Sequence, residues 1–412
     1  MATIAPEAQE TTATEKCPAR DMRKTGFDTS TSEQPVVQTE DGIWHIYGYD
    51  EVRQVLRNDL AYQGGFRIED LVNSTGGVLK NLPILYIDGP EHNRLRRETN
   101  KFFTPSITDR EYREFMDEFA DELIGNLKKR GRVNLSDLSM DMAVKVASQI
   151  VGLTNSVLPG FKGRLNAMLE TGNLPEDAPK WKSMFLGQWN VLQFLLMDVL
   201  PAIRARRKNP QNDVISYLID RDYSAFEILT ECTVYGVAGM VTTREFIAVA
   251  LWHLLENPHL AQRMRVGSQE ERYAILHEIL RLEPVVGKLQ RRATEDLVIE
   301  TEGQTVTIPK GSKLDLHVSV SNTDERVFGE NSNAVCPMRP LSERKPKVAE
   351  FALSFGDGPH RCPGAFVAIQ ESDIFLRKLL AIDTLRIERE PDVTYSEIAK
   401  GYELRNFIVA VD

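Results

Sequence analysis

The chain has 412 residues, 42% of them hydrophobic and 27% charged, an ordinary balance for a globular protein with a large core. A net charge of -10 argues against general binding to nucleic acid or to anionic membranes. No apolar run reaches the roughly 18 residues of a membrane span and no apolar signal core opens the chain. Four scattered cysteines (Cys17, Cys232, Cys336, Cys362) form no C-x-x-C pair, which argues against a zinc site or a disulfide framework. The cytoplasm is the simplest expected compartment.

Residues 1–33, rich in Thr, Ser, Glu and Lys, read as a flexible lead-in, and residues 34–412 as one domain. Val36 to Gln38 and Ile43 to Tyr47 flank an Asp41-Gly42 turn and predict a β-hairpin. Asp50 to Arg57 predicts a short helix with Asp50 as N-cap. Residues 61–82 lack a period and read as a candidate binding loop. Asp88-Gly89-Pro90-Glu91-His92 opens a helix on which His92 and Arg96 share a face. That pair suits either a solvated basic face or a site for two carboxylates. Residues 111–219 are mostly helical with short breaks. Within them Trp181, Met184, Phe185, Trp189, Leu192, Phe194 and Leu195 read as ordinary core packing.

Ser224 and Glu227 form a capping box, and a helical pattern then runs to Asn257-Pro258, roughly 50 Å at about 1.5 Å per residue. Its middle reads Val237-Ala238-Gly239-Met240-Val241-Thr242-Thr243-Arg244-Glu245. The small Ala238 and Gly239 leave room for a flat ligand or for close helix packing, and Thr242 can bond its own helix backbone. A second capping box, Ser268 and Glu271, opens a helix ending at Leu282, on which Glu278 and Arg281 can pair. An extended stretch carries Arg291-Arg292-Ala293-Thr294-Glu295-Asp296, followed by a hairpin over residues 297–308. Last comes Phe355-Gly356-Asp357-Gly358-Pro359-His360-Arg361-Cys362-Pro363-Gly364, with a helical pattern from Ala365 to Leu380. A helix N-terminus favours an anion, so Cys362 is expected to have a lowered pKa and to be held as thiolate. The loop reads as a seat for one thiolate ligand to a planar metal cofactor; a lone Cys-Pro-Gly would read far more readily as a buried turn.

The ten residues from Phe355 to Gly364 resemble the haem-binding loop of the cytochrome P450 family. Five further stretches resemble that family in order. Asp88 to Arg96 is similar to D-P-P-E-H-x-x-x-R, with Gly89 replacing the first proline. Ala238 to Thr243 is similar to A-G-x-D/E-T-T, with Val241 at the acid position. Glu278 and Arg281 match E-x-x-R, and Arg291 to Asp296 matches R-x-A-T-E-D. Asn322, Asp324 and Phe328 match N-x-D…F.

The resemblance implies a mainly α fold with small β-sheets (α+β), one domain, and haem between the long central helix and the helix after the cysteine loop. It implies haem b (iron protoporphyrin IX) with Cys362 as metal ligand. His92, Arg96, Arg291 and His360 would meet the propionates. Phe355, Gly356, Gly364, Ala238 and Gly239 would surround the cofactor, and Thr242 and Thr243 would act in catalysis. Glu278 and Arg281 would be structural, with a third partner expected near Asn333 or Ala334. The implied activity is a monooxygenase that takes O2 and a hydrophobic small-molecule substrate, with electrons from a separate ferredoxin or flavoprotein. Arg94, Arg97, Lys101 and Arg361 are either a docking patch for that donor or solvated charge. Residues 158–219 would form a lid over the substrate cavity, and no nucleic acid or membrane span is implied. Valine cannot relay a proton, and Glu245 lies about one turn on. Two alternatives therefore stand beside the monooxygenase: a peroxide-driven or otherwise atypical haem-thiolate enzyme, and a haem protein that binds without turnover.

Overall fold

A computed structural model describes residues 22–26, 32–65, 79–170, 180–341, 347–396 and 400–412. Five short strands form the main sheet: β1 (Val36–Gln38), β2 (Trp44–Ile46), β3 (Ala61–Gln63), β4 (Leu289–Ala293) and β5 (Lys313–Leu316). Their order is β1-β2-β5-β4-β3. The expected hairpin is present, with Val36 opposite Ile46, and β2 runs parallel to β5. The β3–β4 pairing sets Gln63 opposite Arg291 and so carries the arginine to the edge of the site. Ile46, Leu314 and Leu316 bury one face of the sheet against Tyr49, Val52 and Val55 of the first helix.

That helix spans Tyr49–Arg57, one residue earlier than expected, and Asp50 is not its cap. Gly48 holds the cap position without a side-chain bond. Instead the Tyr49 N–H donates to Asp324 Oδ2 at 2.9 Å. A distant carboxylate thus satisfies a free helix-end donor, and Asp50 lies in the first turn where its charge suits the dipole.

The second, larger core surrounds a continuous helix over Ala225–Glu256. The capping box forms as read: Ser224 N–H donates to Glu227 Oε2 at 2.8 Å, and Glu227 N–H to Ser224 Oγ at 3.3 Å. A π-turn over Val237–Val241 interrupts the α-helical bonding, and such turns recur at functional sites. The helix is apolar and long enough to cross a membrane, but its surface is mostly buried in the fold. It packs against helices Leu135–Val151, Gln269–Leu282 and Ala365–Leu380.

Three expectations need correction. The aromatic stripe is not core: Phe194 is buried, but Phe185 is 61% exposed, Trp189 48% and Leu192 43%. Helix Lys180–Phe194 packs chiefly against Phe161–Glu170; the Trp181 and Met184 side chains lie outside the described residues. Part of the lead-in is fastened: Met22 N–H donates to Asn333 O at 3.0 Å, and the Thr25 hydroxyl donates to Glu283. Cys336 is disulfide-bonded, while Cys232 and Cys362 are free and Cys17 lies outside the described residues. Disulfides need proximity in space, which sequence spacing does not show.

Candidate functional site

The cysteine loop is fixed by its own backbone and by the first helix. Cys362 N–H donates to Phe355 O at 2.8 Å, closing the loop on itself. Gly358 has φ +66, and a Cβ there would lie 2.2 Å from Leu56 O, so the loop rests directly on that helix's last turn. Asp357 completes the joint, accepting from Gly358 N–H at 2.8 Å, Arg57 Nε at 2.8 Å and Arg53 Nε at 3.1 Å. Gly356 N–H donates to Leu353 O at 2.8 Å, and Phe355 meets Phe351 edge-on at 5.1 Å. Gly364 caps the helix Ala365–Leu380.

The expected lowering of the Cys362 pKa does not hold for the free thiol. Burial pushes it up, and the Gly364 N–H, Arg96 and Arg361 pull against that without prevailing. The loop therefore presents a thiol that a metal ion would deprotonate on binding.

Behind the loop stands a buried brace. Arg281 is fully buried and donates from Nε to both oxygens of Glu278, at 2.9 and 2.8 Å. Its other nitrogens donate to Asn322 O (2.7 Å), Ser332 O (2.8 Å) and Ala334 O (3.0 Å). The third charged partner is Arg339, whose Nε lies 2.6 Å from Glu278 Oε1. It falls beyond the expected positions; Asn333 and Ala334 sit in the turn that the two arginines clamp through the Ala334 carbonyl. Asn322 passes the brace to the loop: its Nδ2 donates to Arg281 O at 3.1 Å, and its Oδ1 accepts from Leu353 N–H at 2.9 Å.

His92, Arg96, Arg291 and His360 come together beside Cys362. His92 is buried and stacks on His360 with ring centroids 4.0 Å apart. Burial and then repulsion from His360 and Arg96 push its pKa down to about 4. Arg291 is buried and its pKa falls to about 10 through burial, with Asp88 the charge that attracts it. Arg96 donates to Arg361 O, and its own pKa is lowered by burial. Asp88, which the sequence reading left without a role, accepts from Gln63 N–H at 3.1 Å and lies 2.8 Å from His360 Nε2. Gly89 has φ +74, closed to proline, so its departure from the family pattern changes how the chain enters the helix Gly89–Thr99.

This cradle fits a dianionic group. Four basic side chains face one carboxylate, and His92 Nδ1 and Arg96 Nε are buried without a hydrogen-bond partner. Charge-assisted bonds from such groups suit two carboxylates such as haem propionates.

The opposite wall is the central helix. Ala238 is exposed and Thr242 partly exposed midway along an otherwise buried element, and Cys362, Pro363 and Gly364 are partly exposed too. Arg96 feels the charge of both Cys362 and Tyr235, and so joins the two walls. Thr242 Oγ donates to Ala238 O at 2.6 Å. Gly239 and Thr243 turn elsewhere. A Cβ on Gly239 would meet Ala147 Cβ at 3.7 Å, so its small size serves helix packing. Thr243 is buried and hydrogen-bonded to Glu371 of the cysteine-loop helix.

Val241 is buried at the acid position. Glu245 does not replace it: its oxygens accept from Leu404 N–H (2.8 Å), Arg405 Nη1 (2.7 Å) and Arg244 Nε (2.7 Å). Glu371 is the acid at the threonine pair, with Oε2 unpartnered and burial holding its pKa well above the carboxylate range. Nothing in the pattern around Glu371 separates it from a solvated helix residue. The proposed docking patch is partly spent at home. Arg94 binds Glu91 at 2.6 Å and Glu98 at 3.1 Å, Lys101 lies over the Phe102 ring, and Arg361 lies over Phe351.

A cysteine at a helix N-terminus, a basic cradle suited to a dianion and a helix opened by a π-turn fit a haem-thiolate site. Residues 273–394 match the model of the cytochrome P450 family. A putative cytochrome P450 of Bacillus subtilis is 26% identical over 364 residues, 86% of each chain. The cyclomarin C epoxidase of Salinispora arenicola is 29% identical over 351 residues, 81% of this chain and 82% of its own. The structure of CYP109E1 from Bacillus megaterium with corticosterone superimposes with a TM-score of 0.72 at 21% identity, covering 91% of this chain and 94% of its own, and speaks for the fold. The family model and the curated relatives, hydroxylases and epoxidases among them, support a P450 monooxygenase with haem b as its cofactor.

Proposed function

We propose that this protein inserts one oxygen atom from O2 into a hydrophobic small organic substrate, in the cytoplasm, with electrons from a separate ferredoxin or flavoprotein. What supports this is the cradle of four basic side chains beside Cys362, in which His92 Nδ1 and Arg96 Nε are buried without a hydrogen-bond partner. Haem bound there supplies the redox chemistry, and a thiolate ligand favours O–O cleavage.

The chain's own groups take the remaining tasks. Cys362 Sγ would hold the iron, with the Gly364 N–H steadying its charge. His92, Arg96, Arg291 and His360 would orient the propionates, with Asp88 setting the His360 ring. Thr242 Oγ can leave its bond to Ala238 O and donate into the cleft. Burial favours the protonated form of Glu371 next to Thr243. The brace through Arg281 and Asn322 keeps the loop at fixed height.

A second reading rests on Val241 and on the engagement of Glu245. With no acid beside Thr242 on its own helix, peroxide-driven oxidation needs fewer delivered protons. Turnover of a hydrophobic substrate panel with ferredoxin, reductase and O2, and separately with hydrogen peroxide, decides between them. Product in the first assay supports the monooxygenase; product in the second alone overturns it.

A further inference from the structure

Two carboxylates one turn apart near the start of the central helix anchor the segment that precedes the helix Gly89–Thr99. Glu227 is fully used: it accepts from Asn81 N–H at 2.7 Å, Asn81 Nδ2 at 3.1 Å and Ser224 N–H. Glu231 is not. Its Oε1 accepts from Ile84 N–H at 2.9 Å, and its Oε2 is buried without a partner. Glu231 is only 3% exposed. Among the described residues no cation acts on it; its own burial and the Ile84 N–H are what move its pKa. A buried carboxylate without a counter-ion is costly.

Helical periodicity places Glu231 above the cleft. It lies seven residues before Ala238, hence on the same face, about 10 Å along the axis. Exposure grows along that face from Glu231 through Val234 and Tyr235 to Ala238. Tyr86, Tyr223 and Tyr235 lie close enough to feel the Glu231 charge. A carboxylate among aromatic rings is the chemistry that recognises an organic ammonium ion.

We infer that Glu231 is a specificity determinant that receives a positively charged ammonium group of the substrate, held about two helical turns from the oxidation site. This rests on the haem-monooxygenase reading above and narrows its substrate to amphipathic cations. Burial raises the Glu231 pKa to about 7. The neighbours Tyr86, Tyr223, Tyr235 and Cys232 all have pKa values raised above their ordinary ranges and stay neutral there. Glu227 has a lowered pKa and stays ionised. Affinity for a cation should therefore rise with pH as Glu231 ionises.

The test uses the haem-loaded protein with two probes: decyltrimethylammonium, which has no lone pair to bind iron, and neutral decanol. Binding is read by tryptophan fluorescence and by the haem spin-state shift. Wild type should prefer the cation by at least about tenfold near pH 8 and lose the preference near pH 6. Glu231→Gln, which keeps an acceptor for Ile84 N–H, should lose the preference at both pH values and bind decanol as wild type does. Glu227→Gln should keep the preference. Equal affinity of wild type for both probes, or a preference that survives in Glu231→Gln, overturns the inference. The carbon monoxide spectrum of Glu231→Gln keeps the two readings apart: loss of the thiolate-type band in wild type as well would fault the haem assignment instead.

Discussion

The two walls of the cleft are built on opposite principles. The cysteine wall is overdetermined. Its loop bonds to itself, rests on the first helix, and is tied through Asn322 to a fully buried arginine with a partner at every nitrogen. The helix wall is left open where it faces the cleft: a π-turn interrupts it, Ala238 is exposed, and the acid position holds an apolar side chain. The difference separates two demands. A metal ligand must be held at one height, whereas the reacting side needs room and polar groups that can change partners.

If the cysteine wall carries the rigidity, the largest loss should come from its brace. Arg281→Met leaves Glu278 to Arg339 alone and strands the Asn322 and Ser332 carbonyls, and should cost about 3–5 kcal/mol of stability, measured by urea unfolding of the haem-loaded protein. An unchanged midpoint would move the rigidity elsewhere. Next, Gly358→Ala sets a methyl against Leu56 O at a φ that disfavours it, and should cost about 2 kcal/mol with weakened haem retention. Retention at the wild-type level would show that the loop does not depend on that seat.

The link between the walls gives a smaller, pH-dependent effect. Because burial raises the Glu371 pKa, its favourable contribution is present below the unfolded value of 4.5 and is lost as pH rises through the folded value. Wild type should therefore lose stability relative to Glu371→Gln as the pH rises above the unfolded value of 4.5. Parallel pH profiles for the two proteins would mean that Glu371 ionises as freely as a surface acid. The smallest effect belongs to the outer stripe. Trp189→Ser removes an exposed ring and should change stability by less than about 0.5 kcal/mol; a larger loss would mean that this helix packs more tightly than its 48% exposure indicates.

Much of this contrast is written locally in the chain. The Ser224/Glu227 capping box, the hairpin and the Glu278/Arg281 pair depend on neighbours within a few residues and form as read, whereas at the second box only Ser268 Oγ accepts from Glu271 N–H. What escaped depends on chain paths across the molecule. Arg339 reaches Glu278 from 61 positions away. Asp324 caps a helix that begins 275 positions earlier. Glu371 meets Thr243 only because two helices cross. Glu245 has the spacing of a relay residue, yet the strand Gly401–Arg405 claims its oxygens. Exposure of the Phe185 and Trp189 face was equally hidden, since an apolar stripe has the same period whether or not a partner covers it.

The central claim is that Cys362 holds the haem iron as thiolate. The most direct measurement is the absorption spectrum of the reduced, carbon monoxide-bound protein, wild type beside Cys362→Ser. Wild type should show the red-shifted Soret band of a thiolate-ligated haem, and Cys362→Ser should lack it. A wild-type band at the position typical of histidine-ligated haem, in folded protein, would contradict the assignment.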